Sequence, residues 1–303
     1  MTSTDTHSST LDPALRHRAV SWLAVTTLLW GGSFIFTKIG LREFPPLVFL
    51  TLRFAIAAVL MTALCGTRLR DFNDDLLRRG MVIGTALAAA NITFVIGISA
   101  TTVSRAGFLN NLFVLFIPLL GFLLWRHKID LWTLSGVLLA TIGLWQLAEG
   151  GLDGFNRGDL FSTICAFFIS LHIISVSRLM GNADVRLLTL VQFATVALWG
   201  MVALVIVPPP DFHPGPLAIT SLLYCIIFPT VIAFTLQNTW QRYLSPTQAG
   251  LLYTLDPVWC LLGGMIFLGE RLSGREWLGC ALLFSAVLLP LLLRLFRERR
   301  NPA

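Results

Sequence analysis

Charge is what this sequence lacks. Asp, Glu, Lys and Arg make up 13% of its 303 residues, about half of the roughly 25% carried by a soluble domain. So few charges cannot cover a water-facing surface of this size, which excludes a freely soluble protein and leaves lipid as the fitting solvent. Carboxylates are scarcer than basic residues, 16 against 22, and Asp256 alone lies deep in an apolar run. Cysteine is limited to Cys65, Cys165, Cys225, Cys260 and Cys280. All five sit in apolar stretches without metal-ligand spacing or an extracellular pairing pattern, so packing is their reading. No two-His metal spacing, Ser–His–acid set or phosphate-binding glycine loop occurs, so no catalytic residue, metal or cofactor is expected. The first 18 residues lack the basic-then-apolar order of a signal peptide. They are polar and read as a disordered tail, 1–18, with the first span retained.

What is present is apolar: 55% of residues are hydrophobic and the mean hydropathy is +0.77. A span needs about 20 mostly apolar residues to cross roughly 30 Å of hydrocarbon. Ten such runs are legible, at 19–41, 45–65, 77–99, 102–125, 130–148, 158–180, 185–207, 216–241, 246–268 and 273–296, followed by a basic tail, 297–303. Ten spans put both termini on one side. With the termini inside, fifteen basic residues fall inside and five outside, and Lys38 and Arg53 stay within spans, which accounts for all 22. This bias predicts cytoplasmic termini and a multi-pass protein of the inner (plasma) membrane. The net charge of +6 is thereby explained by topology. The basic residues form no single patch, so no nucleic-acid partner is expected.

The chain also repeats itself. A shift of 143 residues lays Ala106-Gly107 on Ala249-Gly250, Gly121 on Gly264 and Gly136 on Gly279. Five spans per half is an odd number, so the halves (19–148 and 158–296) enter the membrane in opposite senses. Inverted repeats of this kind recur in secondary transporters, where cargo sits near the midplane between the halves.

An ordered series of motifs runs through both halves. It comprises Trp30-Gly31-Gly32-Ser33-Phe34 with Lys38 beyond, Pro46 and Arg53-Phe54, Ala106-Gly107 and Pro118, Trp132 and Gly136, and Gly158-Asp159. Then follow Ala249-Gly250, Asp256-Pro257, Gly269-Glu270-Arg271-Leu272, Trp277 and Gly279. From residue 19 onward the chain resembles the EamA-type branch of the drug/metabolite transporter superfamily. In size and span count it is similar to the YddG-like amino-acid exporters within it. The resemblance implies an all-α membrane protein: ten transmembrane helices in two inverted five-helix repeats around a central cavity, and metabolite export. One departure stands out. The shift puts Val114, not a proline, opposite Pro257, and Pro118 comes a turn later, so the two kinks need not be symmetric.

Three intramembrane charges invite a role. Lys38 lies roughly 5 Å from the outer end of its span and can snorkel. Arg53 lies near 12 Å deep, where a charge must face protein or water. It either serves function or ties helix ends together through backbone carbonyls. Asp256 precedes Pro257, where the helix is disfavoured. It either meets cargo or a proton, or pairs with Arg53 or Lys38. Uncharged residues locate the cavity. Asn110 and Asn111 sit mid-span, and the shift lays Asn110 on Tyr253 and Phe94 on Gln237. Tyr253, Asp256 and Cys260 share one helical stripe, and Trp30, Ser33 and Thr37 share another. His172 shares a face with Ser175. His172 and Asn91 are candidates for cargo contact or for helix–helix hydrogen bonds. The expected substrate-binding set is Trp30, Ser33, Asn91, Phe94, Asn110, Asn111, His172, Gln237, Tyr253 and Asp256.

These features favour a secondary transporter exporting a small metabolite, an amino acid or similar solute, by alternating access. Its partners would be the small-molecule cargo and the bilayer. Monomer and homodimer both fit. Two other classes compete. A membrane-embedded enzyme acting on a lipid-linked substrate would need paired acids, where one deep carboxylate is present. A non-transporting membrane sensor would need an exposed domain, and the loops are short.

Overall fold

A computed structural model describes residues 13–126, 131–147, 155–259, 262 and 273–300, and these are helical with no strand among them. Helix α1 (Pro13–Gly40) is followed by α2 (Pro46–Cys65), α3 (Asp74–Ala100), α4 (Val103–Asn111), α5 (Phe113–Trp125) and α6 (Leu131–Leu147). The second half holds α7 (Arg157–Leu179), α8 (Val185–Ile206), α9 (Pro216–Ile226), a π-helical turn (Ile227–Ile232), α10 (Ala233–Trp240), α11 (Pro246–Tyr253) and α12 (Gly274–Arg300). Residues 256–259 form a helical turn beyond α11.

These helices follow the expected spans. Seven helical stretches among the described residues are long and apolar enough to cross a membrane, and Leu134–Gln146 and Trp277–Ala286 are shorter apolar helices. Helices α4 and α5 make the fourth span; α9, the π turn and α10 make the eighth. Part of the ninth span, with Cys260, lies outside the described residues, as does Gly269-Glu270-Arg271-Leu272. Helix α1 starts at Pro13 and takes in residues 13–18 of the expected tail. Proline suits a first helical position, and Ala, Leu and Arg propagate the helix behind it.

Starts of helices are marked by local chemistry. The side chain of Asn73 accepts from the Leu76 amide at 2.9 Å. Asn156 and Asp159 form a reciprocal capping box, as do Ser245 and Gln248. Each satisfies backbone donors that a helix leaves open at its N-terminus.

Packing follows the two-fold relation between halves. The second, fourth and fifth spans each lie against their own repeat mates: α2 on α8, α5 on α11, α6 on α12. Helix α3 packs on α7, and its counterpart contact is α1 on α9 and α10. Small residues allow the close approaches. A Cβ at Gly158 would stand 2.6 Å from the Ala100 carbonyl carbon, so α7 begins hard against the end of α3. Large apolar side chains instead line the rim: Val205 is 81% exposed, as a lipid-facing residue should be. The two largest buried clusters among the described residues form around Phe113, Ile117, Leu144 and Leu283, and around Phe49, Phe54, Phe193 and Leu222. Trp30 packs against both.

The break in the fourth span falls at Leu112 and that in the ninth at Thr254–Leu255. The breaks coincide under the 143-residue shift although the prolines do not. Pro118 lies inside α5 and marks no break in it.

Candidate functional site

Between the two clusters, where the broken helices meet α1, α2, α3, α7 and α10, lies a cavity of about 110 Å³. All ten expected substrate-binding residues line it: Trp30, Ser33, Asn91, Phe94, Asn110, Asn111, His172, Gln237, Tyr253 and Asp256. Arg53 lines it too. Phe34, Leu87, Ala90, Phe113, Cys165, Ile169, Ile173 and Phe234 complete the wall. The sequence reading missed these because each is an ordinary apolar or small residue. The repeat could have found three of them. The shift carries Trp30 to Ile173, Asn91 to Phe234 and Phe113 to Asp256, besides Phe94 to Gln237 and Asn110 to Tyr253, and every member of these pairs lines the cavity.

Aromatic rings form much of the surface. The Trp30 centroid is 5.2 Å from Tyr253 and 5.4 Å from Phe234, while Phe34 and Phe94 meet edge to face at 5.4 Å. Trp30 is held by its indole N–H, which donates to the Pro229 carbonyl at 3.1 Å.

The charges divide differently from the sequence alternatives. Lys38 lies outside the cavity wall. Its Nζ donates to the carbonyls of Ile98 at 2.6 Å and Thr101 at 2.8 Å, at the end of α3, where a helix dipole favours a cation. Thr101 also donates its hydroxyl to Asp159 at 2.6 Å, and Asp159 is ion-paired with Arg105, so α1, α3, α4 and α7 are tied at one end of the bundle. Arg53 is 4% exposed, gives its Nε proton to Thr230 Oγ1 at 2.5 Å and lies over the Phe54 ring at 5.3 Å. Among the described residues no ion pair joins Asp256 to either cation.

Polar groups in the wall are underused. Asp256 Oδ1, Asn110 Oδ1 and Nδ2, Asn111 Oδ1, Gln237 Oε1 and His172 Nε2 are buried without a hydrogen-bond partner. Leaving such a group unpaired costs about 1–3 kcal/mol, and six such atoms on residues of one cavity wall make the cavity the candidate binding site. Ser33 and Asn91, by contrast, bond carbonyls of their own helices, at Trp30 and Leu87.

An all-helical, multi-spanning bundle of two related halves, with a polar-and-aromatic cavity at its broken helices, is the architecture of a membrane transporter. The comparisons agree. The EamA-like transporter family model matches residues 17–148 and again residues 156–292, and the chain belongs to that family. An uncharacterized transporter of Archaeoglobus fulgidus is 30% identical over 275 residues, 88% of this chain and 83% of its own. A probable amino-acid metabolite efflux pump of Escherichia coli is 23% identical, over 87% of this chain and 91% of its own. One solved crystal structure superposes with a TM-score of 0.77 at 20% identity, covering 95% of this chain and 99% of that one, which shows a shared fold.

Proposed function

We propose that this protein is a secondary transporter that exports a small zwitterionic metabolite, an amino acid or a close relative, by alternating access. The observation that carries the reading is the convergence of unpartnered polar atoms on one cavity that also holds one cation and one anion, Arg53 and Asp256, not paired with each other. A zwitterion supplies both missing counter-charges, and the aromatic wall suits its apolar remainder. A phosphorylated cargo would instead call for clustered basic side chains. The ten expected binding residues are assigned to cargo contact on this basis. The likeness to a probable amino-acid metabolite efflux pump supports the same reading. In this reading the concentration of basic residues on one side orients both termini to the cytoplasmic face of the inner membrane.

Purified protein in proteoliposomes, offered a panel of radiolabelled amino acids and other metabolites with and without a pH gradient, tests this. Counterflow of at least one amino acid, abolished by excess unlabelled compound, is the expected result. Transport of phosphorylated metabolites alone would overturn it.

A further inference from the structure

Which way the Gln237 amide points into the cavity is decided by a residue outside it. Gln241 is wholly buried and lies in the short turn (Gln241–Tyr243) after α10. Its side chain stands 2.7 Å from the backbone carbonyl of Ile173 and 2.9 Å from Ser177 Oγ. A carbonyl oxygen only accepts, so the atom facing Ile173 is the amide nitrogen. Gln241 Oε1 therefore faces the other way, accepting from Gln237 Nε2 at 2.8 Å and from the Tyr253 hydroxyl at 3.0 Å. Gln237 has thus committed its nitrogen and presents Oε1, an oxygen without a partner. The Tyr253 proton is likewise spent on Gln241.

The same logic acts in α4. Asn111 Nδ2 donates to the Gly107 carbonyl at 2.8 Å, leaving Oδ1 unpartnered. Asp256 adds Oδ1, also unpartnered. Each of these three residues is at least nine-tenths buried and lines the one cavity. The residues that line the cavity therefore carry three unpartnered acceptor oxygens, two of them on amides whose orientation is set by a backbone carbonyl and one on a carboxylate, with the Trp30 and Phe234 rings nearby. Arg53 supplies a cation within the same wall.

We propose that Gln237 Oε1, Asn111 Oδ1 and Asp256 form a subsite for a primary ammonium group, with Gln241 as the positioning residue that holds it acceptor-only. The proposal rests on the reading that the cavity holds cargo. A primary ammonium has three N–H donors for three acceptors, whereas a trimethylated nitrogen keeps the charge and has none. A site built on fixed acceptors strongly rejects an analogue that lacks the matching donors, because its own polar groups then stay unpaired.

Four probes separate these features on the purified full-length protein: leucine, 3-methylbutylamine, 4-methylpentanoate and N,N,N-trimethylleucine, with affinity measured by calorimetry. Leucine and 3-methylbutylamine should bind, and the other two should bind at least tenfold more weakly than leucine. Gln241→Met should narrow the preference for leucine over trimethylleucine severalfold, a ratio that general loosening of the fold does not shift in one direction. Gln241→Glu keeps the acceptor for Gln237 and Tyr253 and should retain the preference. Trimethylleucine or 4-methylpentanoate binding as tightly as leucine would overturn the subsite. Binding of 3-methylbutylamine but not leucine would uphold the subsite and defeat the amino-acid reading. Binding of none of the four would defeat both.

Discussion

Leu112 and Leu255 stand at one position of the repeat and carry one hydrogen-bond pattern. The Leu112 amide reaches the Leu109 carbonyl at 3.2 Å, and the Leu112 carbonyl accepts from Leu115 at 2.9 Å and Phe116 at 3.3 Å. The Leu255 amide reaches Leu252 at 3.2 Å, and its carbonyl accepts from Val258 at 3.0 Å and Trp259 at 3.2 Å. All three bonds superpose under the 143-residue shift. Both breaks put a polar side chain of the preceding helix, Asn110 and Tyr253, into the cavity.

The first half makes this break with Val114 where the second half has Pro257, so the proline is not its cause. Pro257→Val is therefore expected to keep transport within about twofold, with a stability change of about 1 kcal/mol or less. Counterflow and thermal unfolding of the variant measure both. Loss of transport at unchanged stability would assign the break to the proline after all.

Asp256→Asn keeps shape and removes the charge. Since Asp256 has no cation partner, no buried cation is stranded by the change. Folded yield and thermal stability should stay near those of the unaltered protein, while transport falls at least tenfold. A fall in yield would instead indicate an ion pair with Arg53 or Lys38, broken with the several-kcal/mol penalty of leaving a buried charge alone.

Topology is testable without a substrate. Reporter fusions after residue 153 and after residue 303 should report opposite compartments, with residue 303 cytoplasmic. Five spans separate the two points in the ten-span arrangement, and an odd number must change sides. The same compartment at both points would end that arrangement.

Asp184 offers a pH-dependent test outside the spans. Its carboxylate caps α8, accepting from the Arg186 and Leu187 amides at 2.9 and 3.2 Å, and meets Arg68 at 2.5 Å. Partial burial alone would raise its pKa, but the Arg68 guanidinium and the two amides together hold it below the ordinary carboxylate value. A depressed folded value means stability that is present above the unfolded pKa of about 3.9 and lost as pH falls through the folded one. Asp184→Ala should cost about 1 kcal/mol at pH 7, mostly from the lost cap, since a half-exposed ion pair adds little. The gap between variant and parent should close below about pH 4. Thermal unfolding of both in detergent across that range checks this, and a gap that widened on acidification would contradict it.

The class of fold, the repeat and most of the cavity wall are legible in the order of the amino acids. Lipid admits few charges, so spans announce themselves as apolar runs, and duplication leaves an offset that carries one cavity residue onto its mate. Thus Asn110, Tyr253, Phe94 and Gln237 were legible together. The pairings come only from how distant helices pack. Lys38 caps a helix end 60 residues away at Ile98, Arg53 bonds Thr230 across 177 residues, and Asp256 is left without either. Nor does any local pattern mark Gln241, which reads as one more polar residue at the end of a span. Its role comes from a carbonyl 68 residues earlier that can only accept. Hydrogen bonds depend on direction over a few tenths of an ångström between distant segments, whereas hydropathy and periodicity report only which side of a helix prefers lipid.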